Sequence, residues 1–249
     1  MSLLGIIPAR YASTRFPGKP LIDINGRAMI MRVYDQAILS GVFEEVIVAT
    51  DDKRIYEHVK LEGFQVVMTS DKHRSGTDRC LEALDSLESE SGKTFSHIIN
   101  IQGDEPFIHP GQIQKVANLL TDSDAEIATL VKLILRREEI FNPNVVKAVF
   151  NSSMEALYFS RSPIPYLREV SETQWTKKRA HHKHIGIYGF RSDILRKVCN
   201  LSPSVLECSE SLEQLRWLEN GLKIRLDLTG EESISIDTPE DLLKITNMA

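Results

Sequence analysis

Apolar residues fall into short continuous runs that alternate with longer stretches in which they recur every three or four positions. That alternation of strand and amphipathic helix is what βαβ units require. Residues 3–7 form a near-continuous apolar run, as in a strand buried on both faces of a parallel sheet. A helix follows over about 28–40, with Met29, Ile30, Val33, Ala37 and Ile38 on one stripe and Gly41 at its end. Strands are predicted at 46–49, 66–68 and 97–101, and Ile55, Val59 and Glu62-Gly63 mark a helix and its stop.

Beyond residue 125 the rhythm changes. Segments 126–134, 145–150, 156–160 and 184–190 are strand-like and separated by loops, and 162–183 is rich in Pro, Arg, Lys and His. A helix returns over 205–220 with Cys208, Leu212, Leu215, Leu218 and Leu222 as its stripe; Ser204 and Glu207 spell a capping box. A last helix near 239–247 starts with Thr238 as cap, Pro239 at the first helical position and Asp241 closing a second box. The pattern predicts one α/β domain over 1–249, a mixed but mostly parallel sheet flanked by helices, with a β-rich excursion over 151–190. Ligands of such sheets lie beyond the carboxyl ends of the strands, which directs attention to the loops after residues 7, 49 and 101.

Composition narrows the class. The chain has 249 residues, 42% of them apolar and 26% charged, as in globular proteins and not in disordered ones. Its formal charge of −5 argues against a nucleic-acid partner over the whole surface. No apolar run approaches the ~20 residues that cross a bilayer, so no membrane span is expected. Cys80, Cys199 and Cys208 are too few and too scattered for a disulfide framework or a C-x-x-C site. They read as small buried apolar residues in a protein of the reducing cytoplasm.

No two glycines are spaced G-x-G, so the dinucleotide fingerprint is absent. Gly18-Lys19 resembles the end of a P-loop, but Ser13 stands where its first glycine belongs and Pro20 where its metal-binding hydroxyl belongs. The segment between Pro8 and Arg27 nevertheless carries four basic residues and one acid. Arg10, Arg15 and Lys19 sit there among two prolines and a glycine, a grouping suited to a triphosphate and equally readable as a solvated basic loop. After the strand at 97–101 comes Gln102-Gly103-Asp104-Glu105-Pro106. The glycine allows close backbone approach and the carboxylates can hold Mg²⁺, to which Asp237 offers a second ligand. Asp237 also stands just before the last helix and suits its positive end without any metal. His181, His182 and His184 do not read as a zinc site: neighbours on a strand diverge, and Lys177, Lys178 and Arg179 repel a dication. Asp85, Glu88 and Glu90 read as a solvated acidic helix face.

Seven blocks carry a resemblance: I-I-P-A-R-Y-A-S-T-R-F-P-G-K-P-L (6–21), S-G-T-D-R (75–79), I-Q-G-D-E-P (101–106), A-L-Y-F-S-R (156–161), H-I-G-I-Y-G-F (184–190), L-E-Q-L-R (212–216) and I-D-T-P-E-D-L (236–242). In order and extent they resemble the CMP-Kdo synthetase (3-deoxy-manno-octulosonate cytidylyltransferase) family. The related CMP-sialate synthetases usually carry R-G-G-S-K in the first loop, from which Tyr11-Ala12-Ser13-Thr14-Arg15 departs.

The resemblance implies a nucleotidyltransferase fold, a homodimer for which the 151–190 excursion offers an interface, and a Mg²⁺-dependent transfer. CTP and Kdo would give CMP-Kdo and pyrophosphate, activating Kdo for lipopolysaccharide synthesis. It implies that Arg10, Arg15 and Lys19 hold the triphosphate and that Asp104 and Asp237 hold the metal. Arg79, Gln102, Arg161, His184, Tyr188, Glu213 and Gln214 match the family's substrate-side motifs. By residue chemistry alone, Glu213 reads as a solvated helix position and Arg161 as the partner of a surface acid. Two other functions share these motifs: transfer to another acidic sugar (sialate or 8-amino-Kdo), and nucleotide binding without chemistry.

Overall fold

The computed structural model describes residues 2–12, 16–73, 75–121, 125–232, 235–236 and 238–246. The chain forms two compact units, one from residues 1–117 and 232–249, the other from 118–231.

The first unit opens with β1 (Leu3–Ala9), a two-stranded hairpin of β2 (Asp23–Ile24) and β3 (Arg27–Ala28), and α1 (Met29–Leu39). Then come β4 (Glu45–Thr50), α2 (Lys53–Leu61), β5 (Val66–Met68), α3 (Gly76–Ser91), β6 (His97–Asn100) and α4 (Pro110–Thr121), which runs past the unit's boundary. Strand order is β6-β1-β4-β5, and all three pairings are parallel. Leu4, Ile6 and Ile7 of β1 and Ile47, Val48 and Ala49 of β4 are wholly buried, which explains why these strands lack polar alternation. The register Ala9↔Thr50 aligns two strand ends, and Ile6↔Asn100 brings the end of β6 beside β1.

Helix α1 packs on β1 and β4. It buries Tyr34, whose hydroxyl donates to the Val46 carbonyl at 2.7 Å, whereas Ile38, predicted for the buried stripe, is 53% exposed. Ile38 lies about 100° around the helix from buried Ala37, in the final turn, where the stripe runs out. Asp52 and Ser75 cap α2 and α3, each accepting from a first-turn amide. Glu88 of α3 is no idle surface acid: its carboxylate accepts from the Phe95 amide at 2.8 Å and closes the turn into β6.

The second unit contains β7 (Ile127–Leu133), α5 (Arg137–Phe141), β8 (Lys147–Phe150), β9 (Ala156–Ser160) and a 3₁₀ stretch over Glu172–Lys178. These lead to β10 (His182–Arg191), α6 (Ser192–Cys199), α7 (Val205–Glu210), α8 (Glu213–Glu219) and β11 (Ile224–Leu228). Strand β7 pairs parallel with β11 and antiparallel with β10; β8 joins β10, and β9 joins β8, both antiparallel. The register of β10 on β7 slips between Ile185 and Tyr188. The buried Thr129 hydroxyl lies there, 2.6 Å from the Ile187 carbonyl, where it supplies the bond that the slipped ladder lacks. The excursion is pinned by Trp175, packed with Ile134, Ile140, Phe141 and Val145. The chain re-enters the first unit through α9 (Pro239–Thr246), where Thr238 and Asp241 exchange amide-to-side-chain bonds at 3.1 and 3.3 Å.

The helix predicted over 205–220 is two helices. Ser211 turns left-handed, φ 52°, between α7 and α8. The capping box of Ser204 and Glu207 opens the first as expected, yet α7 buries none of its residues. Cys208 is therefore exposed; Cys199, at the end of α6, is half-buried, which leaves Cys80 as the one cysteine in the core.

Candidate active site

The first unit assembles its candidate groups at the carboxyl ends of β1, β4 and β6. Gly18, φ 74°, leads into a 3₁₀ turn that starts with Lys19. Lys19 Nζ donates to Asp104 Oδ2 at 2.9 Å across 85 residues of sequence. Lysine and aspartate are 12% and 31% exposed, so the pair is accessible but not fully solvated. Asp104 is positioned by its neighbour. A Cβ on Gly103 would stand 2.8 Å from the Pro8 carbonyl oxygen, so only glycine lets the loop after β6 lie this close to the end of β1.

The Ile236 amide donates to the Asp104 carbonyl at 2.9 Å, bringing the segment before α9 to the same loop. Ile236, Ile24 and Met29 form an apolar cluster joined by Phe16, Phe107 and Leu242. One patch of apolar packing thus ties together the segments that precede Lys19, follow Asp104 and flank Ile236. Arg15 and Asp237, both sequence candidates, lie outside the described residues. Arg10 is exposed and takes no partner among the described residues.

Arg79 reaches from α3 to the ends of the neighbouring strands. Its Nη2 donates to Asp51 Oδ2 at 2.7 Å and its Nη1 to Thr69 Oγ1 at 2.5 Å, and it is 4% exposed. Gln102 Nε2 lies 3.4 Å from Asn100 Oδ1, a long contact.

The second unit gathers another set on β10 and α8. His184 and Tyr188 have ring centroids 5.0 Å apart, and Tyr188 meets Trp217 edge-on at 5.0 Å. His184 Nε2 is 3.0 Å from Thr129 Oγ1. The threonine proton is directed at the Ile187 carbonyl, so His184 carries its proton on Nε2 and donates it. Burial pushes His184 down to about 3, so it is neutral at pH 7. Tyr188 is raised well above the usual phenol value by burial, with the Glu213 carboxylate adding to the effect.

The Tyr188 hydroxyl and Trp217 Nε1 are buried without a hydrogen-bond partner among the described residues. Such groups cost about 1–3 kcal/mol each until something accepts from them. Gln214 is buried, and half-buried Glu213 accepts from Arg216 Nη2 at 2.8 Å instead of lying free in solvent.

Arg161 is employed otherwise than as the partner of a surface acid. Its Nε, Nη1 and Nη2 donate to the carbonyls of Glu210, Pro143 and Ser211 at 2.6, 2.9 and 3.3 Å. Beside it, Lys147 is wholly buried, and its Nζ donates to the carbonyls of Asn142, Val145 and Arg161. Sequence reasoning missed Lys147, Asp51 and Thr69, because their partners are brought to them only by folding. The histidine run diverges as well. His181 stacks on Trp175, His182 meets Phe150 edge-on, and Lys183 Nζ donates to Glu139 at 2.7 Å. Among the described residues no group of three or more His, Cys, Asp or Glu is placed to hold a metal.

Parallel strands that end on a cationic loop and a lysine–carboxylate pair define an α/β protein that handles phosphate-bearing ligands, and a family model described as Cytidylyltransferase matches residues 4–224. The enzyme named 3-deoxy-manno-octulosonate cytidylyltransferase of Parabacteroides distasonis is 54% identical over 98% of this chain and 96% of its own. The enzyme of that name from Cytophaga hutchinsonii is 53% identical over 99% and 97%. A solved structure of CMP:2-keto-3-deoxy-manno-octonic acid synthetase complexed with CTP is 40% identical and superposes with a TM-score of 0.91, covering 100% of this chain and 98% of that one. The chain belongs to the cytidylyltransferase family, among the 3-deoxy-manno-octulosonate cytidylyltransferases.

Proposed function

We propose that this protein is a cytidylyltransferase that couples CTP to 3-deoxy-manno-octulosonate, giving CMP-Kdo and pyrophosphate for lipopolysaccharide synthesis. The observation that carries the reading is the Lys19–Asp104 pair, set by Gly18 and Gly103 at the ends of β1 and β6 in a chain of this family. In the reaction the anomeric hydroxyl of the sugar attacks the α-phosphorus and pyrophosphate leaves. Positioning and charge neutralisation dominate such transfers.

Arg10, Arg15 and Lys19 bind the triphosphate, the arginines as planar forks and the lysine as a point charge. Asp104 and Asp237 would hold Mg²⁺, whose charge would offset that developing on the α-phosphate. The residues present fit the ion: Asp104 is partly exposed, and its Oδ1 takes no bond from the described residues. Mg²⁺ needs only one or two carboxylates besides water and phosphate oxygens.

Arg79, Gln102, Arg161, His184, Tyr188, Glu213 and Gln214 are the residues that match the family's substrate-side motifs. Kdo offers a carboxylate and several hydroxyls, which suit neutral His184 and the buried Tyr188 hydroxyl, unpartnered among the described residues. The working form is a homodimer in the cytoplasm; among the described residues no helix is long and apolar enough to cross a membrane.

Pyrophosphate release across four nucleoside triphosphates and several acidic sugars, with and without Mg²⁺, tests the proposal. CTP with Kdo and Mg²⁺ should give the fastest release. Preference for UTP or GTP overturns the base, preference for sialate overturns the sugar, and CTP binding without product overturns catalysis.

A further inference from the structure

Tyr11 lies in the cationic loop but carries no charge of its own. Its main-chain carbonyl accepts from the Gly18 amide at 3.0 Å. Its ring occupies the space a side chain at position 18 would need, since a Cβ there would meet the Tyr11 hydroxyl oxygen at 2.9 Å and Cζ at 3.0 Å. The guanidinium carbon of Arg54, in the first turn of α2, stands 3.2 Å from the centroid of the same ring.

That guanidinium is held at its edge. Arg54 Nε donates to Asp52 Oδ1 at 3.0 Å and Nη2 to Asp52 Oδ2 at 2.7 Å, while Asp52 caps α2 by accepting the Arg54 amide at 2.9 Å. The bidentate pairing leaves the flat face of the cation for the ring, an arrangement lysine cannot reproduce. A chain of contacts then runs from helix to site: Asp52 orients Arg54, Arg54 covers Tyr11, Tyr11 packs on Gly18, and Gly18 sets the turn that aims Lys19 at Asp104.

We infer that Arg54 is a positioning residue for nucleotide binding, acting through Tyr11 to hold the Lys19 turn in its ligand-ready geometry. It deepens the cytidylyltransferase reading and rests on it. Preorganising a loop lowers the ordering cost of binding without touching the chemical step, so the effect belongs in CTP affinity and not in turnover.

The test uses the full-length chain with Arg54→Ala, Tyr11→Leu, the double variant and Tyr11→Phe. Lys60→Ala, which removes a cation from the Tyr56 ring on the same helix, is the control. Each single loss should raise the KM for CTP about two- to fivefold, the range of an exposed cation–π contact. Turnover and the KM for Kdo should stay at wild-type values. The double variant should be no worse than the poorer single one, and Tyr11→Phe, which keeps the ring, should resemble wild type. Arg54→Ala with an unchanged KM for CTP overturns the inference. So do additive effects in the double variant, which would mean that Arg54 meets CTP directly. Calorimetric titration with CTP separates the two levels. If wild type and Arg54→Ala bind equally, the clamp fails alone; if wild type does not bind, the cytidylyltransferase reading fails with it.

Discussion

Ile236 donates its amide to the carbonyl of Asp104 at 2.9 Å, across more than half the chain. The bond fixes the backbone of the carboxylate-bearing loop, and the apolar cluster around Ile236 keeps water from competing for it. Asp104 is therefore held from two sides, its main chain by Ile236 and its side chain by Lys19. A carboxylate on a loop gains its accuracy of placement from such supports.

Replacing Asp104 with Asn removes the charge and keeps the shape. Pyrophosphate release at saturating CTP and Mg²⁺ should fall by about 100-fold or more, since in the proposed reaction this carboxylate would hold the metal that offsets charge on the α-phosphate. Stability should change little, because a partly exposed ion pair contributes at most about 1 kcal/mol. Thermal unfolding should shift by no more than about 2–4 °C. Full activity of Asp104→Asn would remove this residue from the chemistry.

Gly103→Ala probes the close approach of two loops. The new methyl group would meet the Pro8 carbonyl oxygen at 2.8 Å and Ile30 Cδ1 at 3.4 Å, and the first of these is backbone that cannot swing aside. A loss of about 1–3 kcal/mol in urea unfolding is expected. Turnover should fall by about 10- to 100-fold as Asp104 moves off position. Gly230→Ala, with open space around it, is the matched control and should leave both quantities unchanged.

Local signals made much of this legible in the sequence. The apolar run of β1, the stop at Gly63 and the boxes at Ser204–Glu207 and Thr238–Asp241 depend on residues within a few positions of each other. What could not be read depends on distant partners. The break at Ser211 has no glycine or proline to announce it. The last carbonyls of α7 are taken by the Arg161 guanidinium, about fifty residues away in sequence. Strand β11 follows a helix closely and alternates over only three apolar positions, too few to separate it from the helix tail. The motif loops gave the residue types at the candidate site. That Arg79 would be tied to Asp51, and Arg161 to main-chain carbonyls, was visible only in three dimensions.

His184 gives stability a pH slope of defined sign. Unfolded, its imidazole binds a proton near the ordinary value of 6.5, whereas folded it resists protonation down to about 3. Between those values the unfolded chain binds more protons, so stability must fall as pH drops from 6.5 toward 3. One such group contributes at most about 1.4 kcal/mol per pH unit. His181 and His182 are also lowered by burial and act in the same direction. Urea unfolding of wild type and His184→Gln at a series of pH values isolates the share of His184. The variant should show the shallower slope, and coincident slopes would place the ring in solvent.

Lys147 tests whether a buried cation can hold a loop together. Its ammonium has three acceptors from three places, Asn142, Val145 and Arg161, and burial lowers its pKa below the ordinary lysine value. Exchanging a whole buried ion pair for apolar side chains is often neutral, because both desolvation costs disappear together. Lys147→Met is a different experiment, since the three carbonyls remain without the donor that joined them. A loss of about 3 kcal/mol in urea unfolding is expected, from broken charge-assisted hydrogen bonds and stranded acceptors. Limited proteolysis should then cut first near 142–145 and 161, the segments the ammonium ties together. A variant within about 0.5 kcal/mol of wild type would mean that apolar packing alone holds these loops, with the lysine merely tolerated among them.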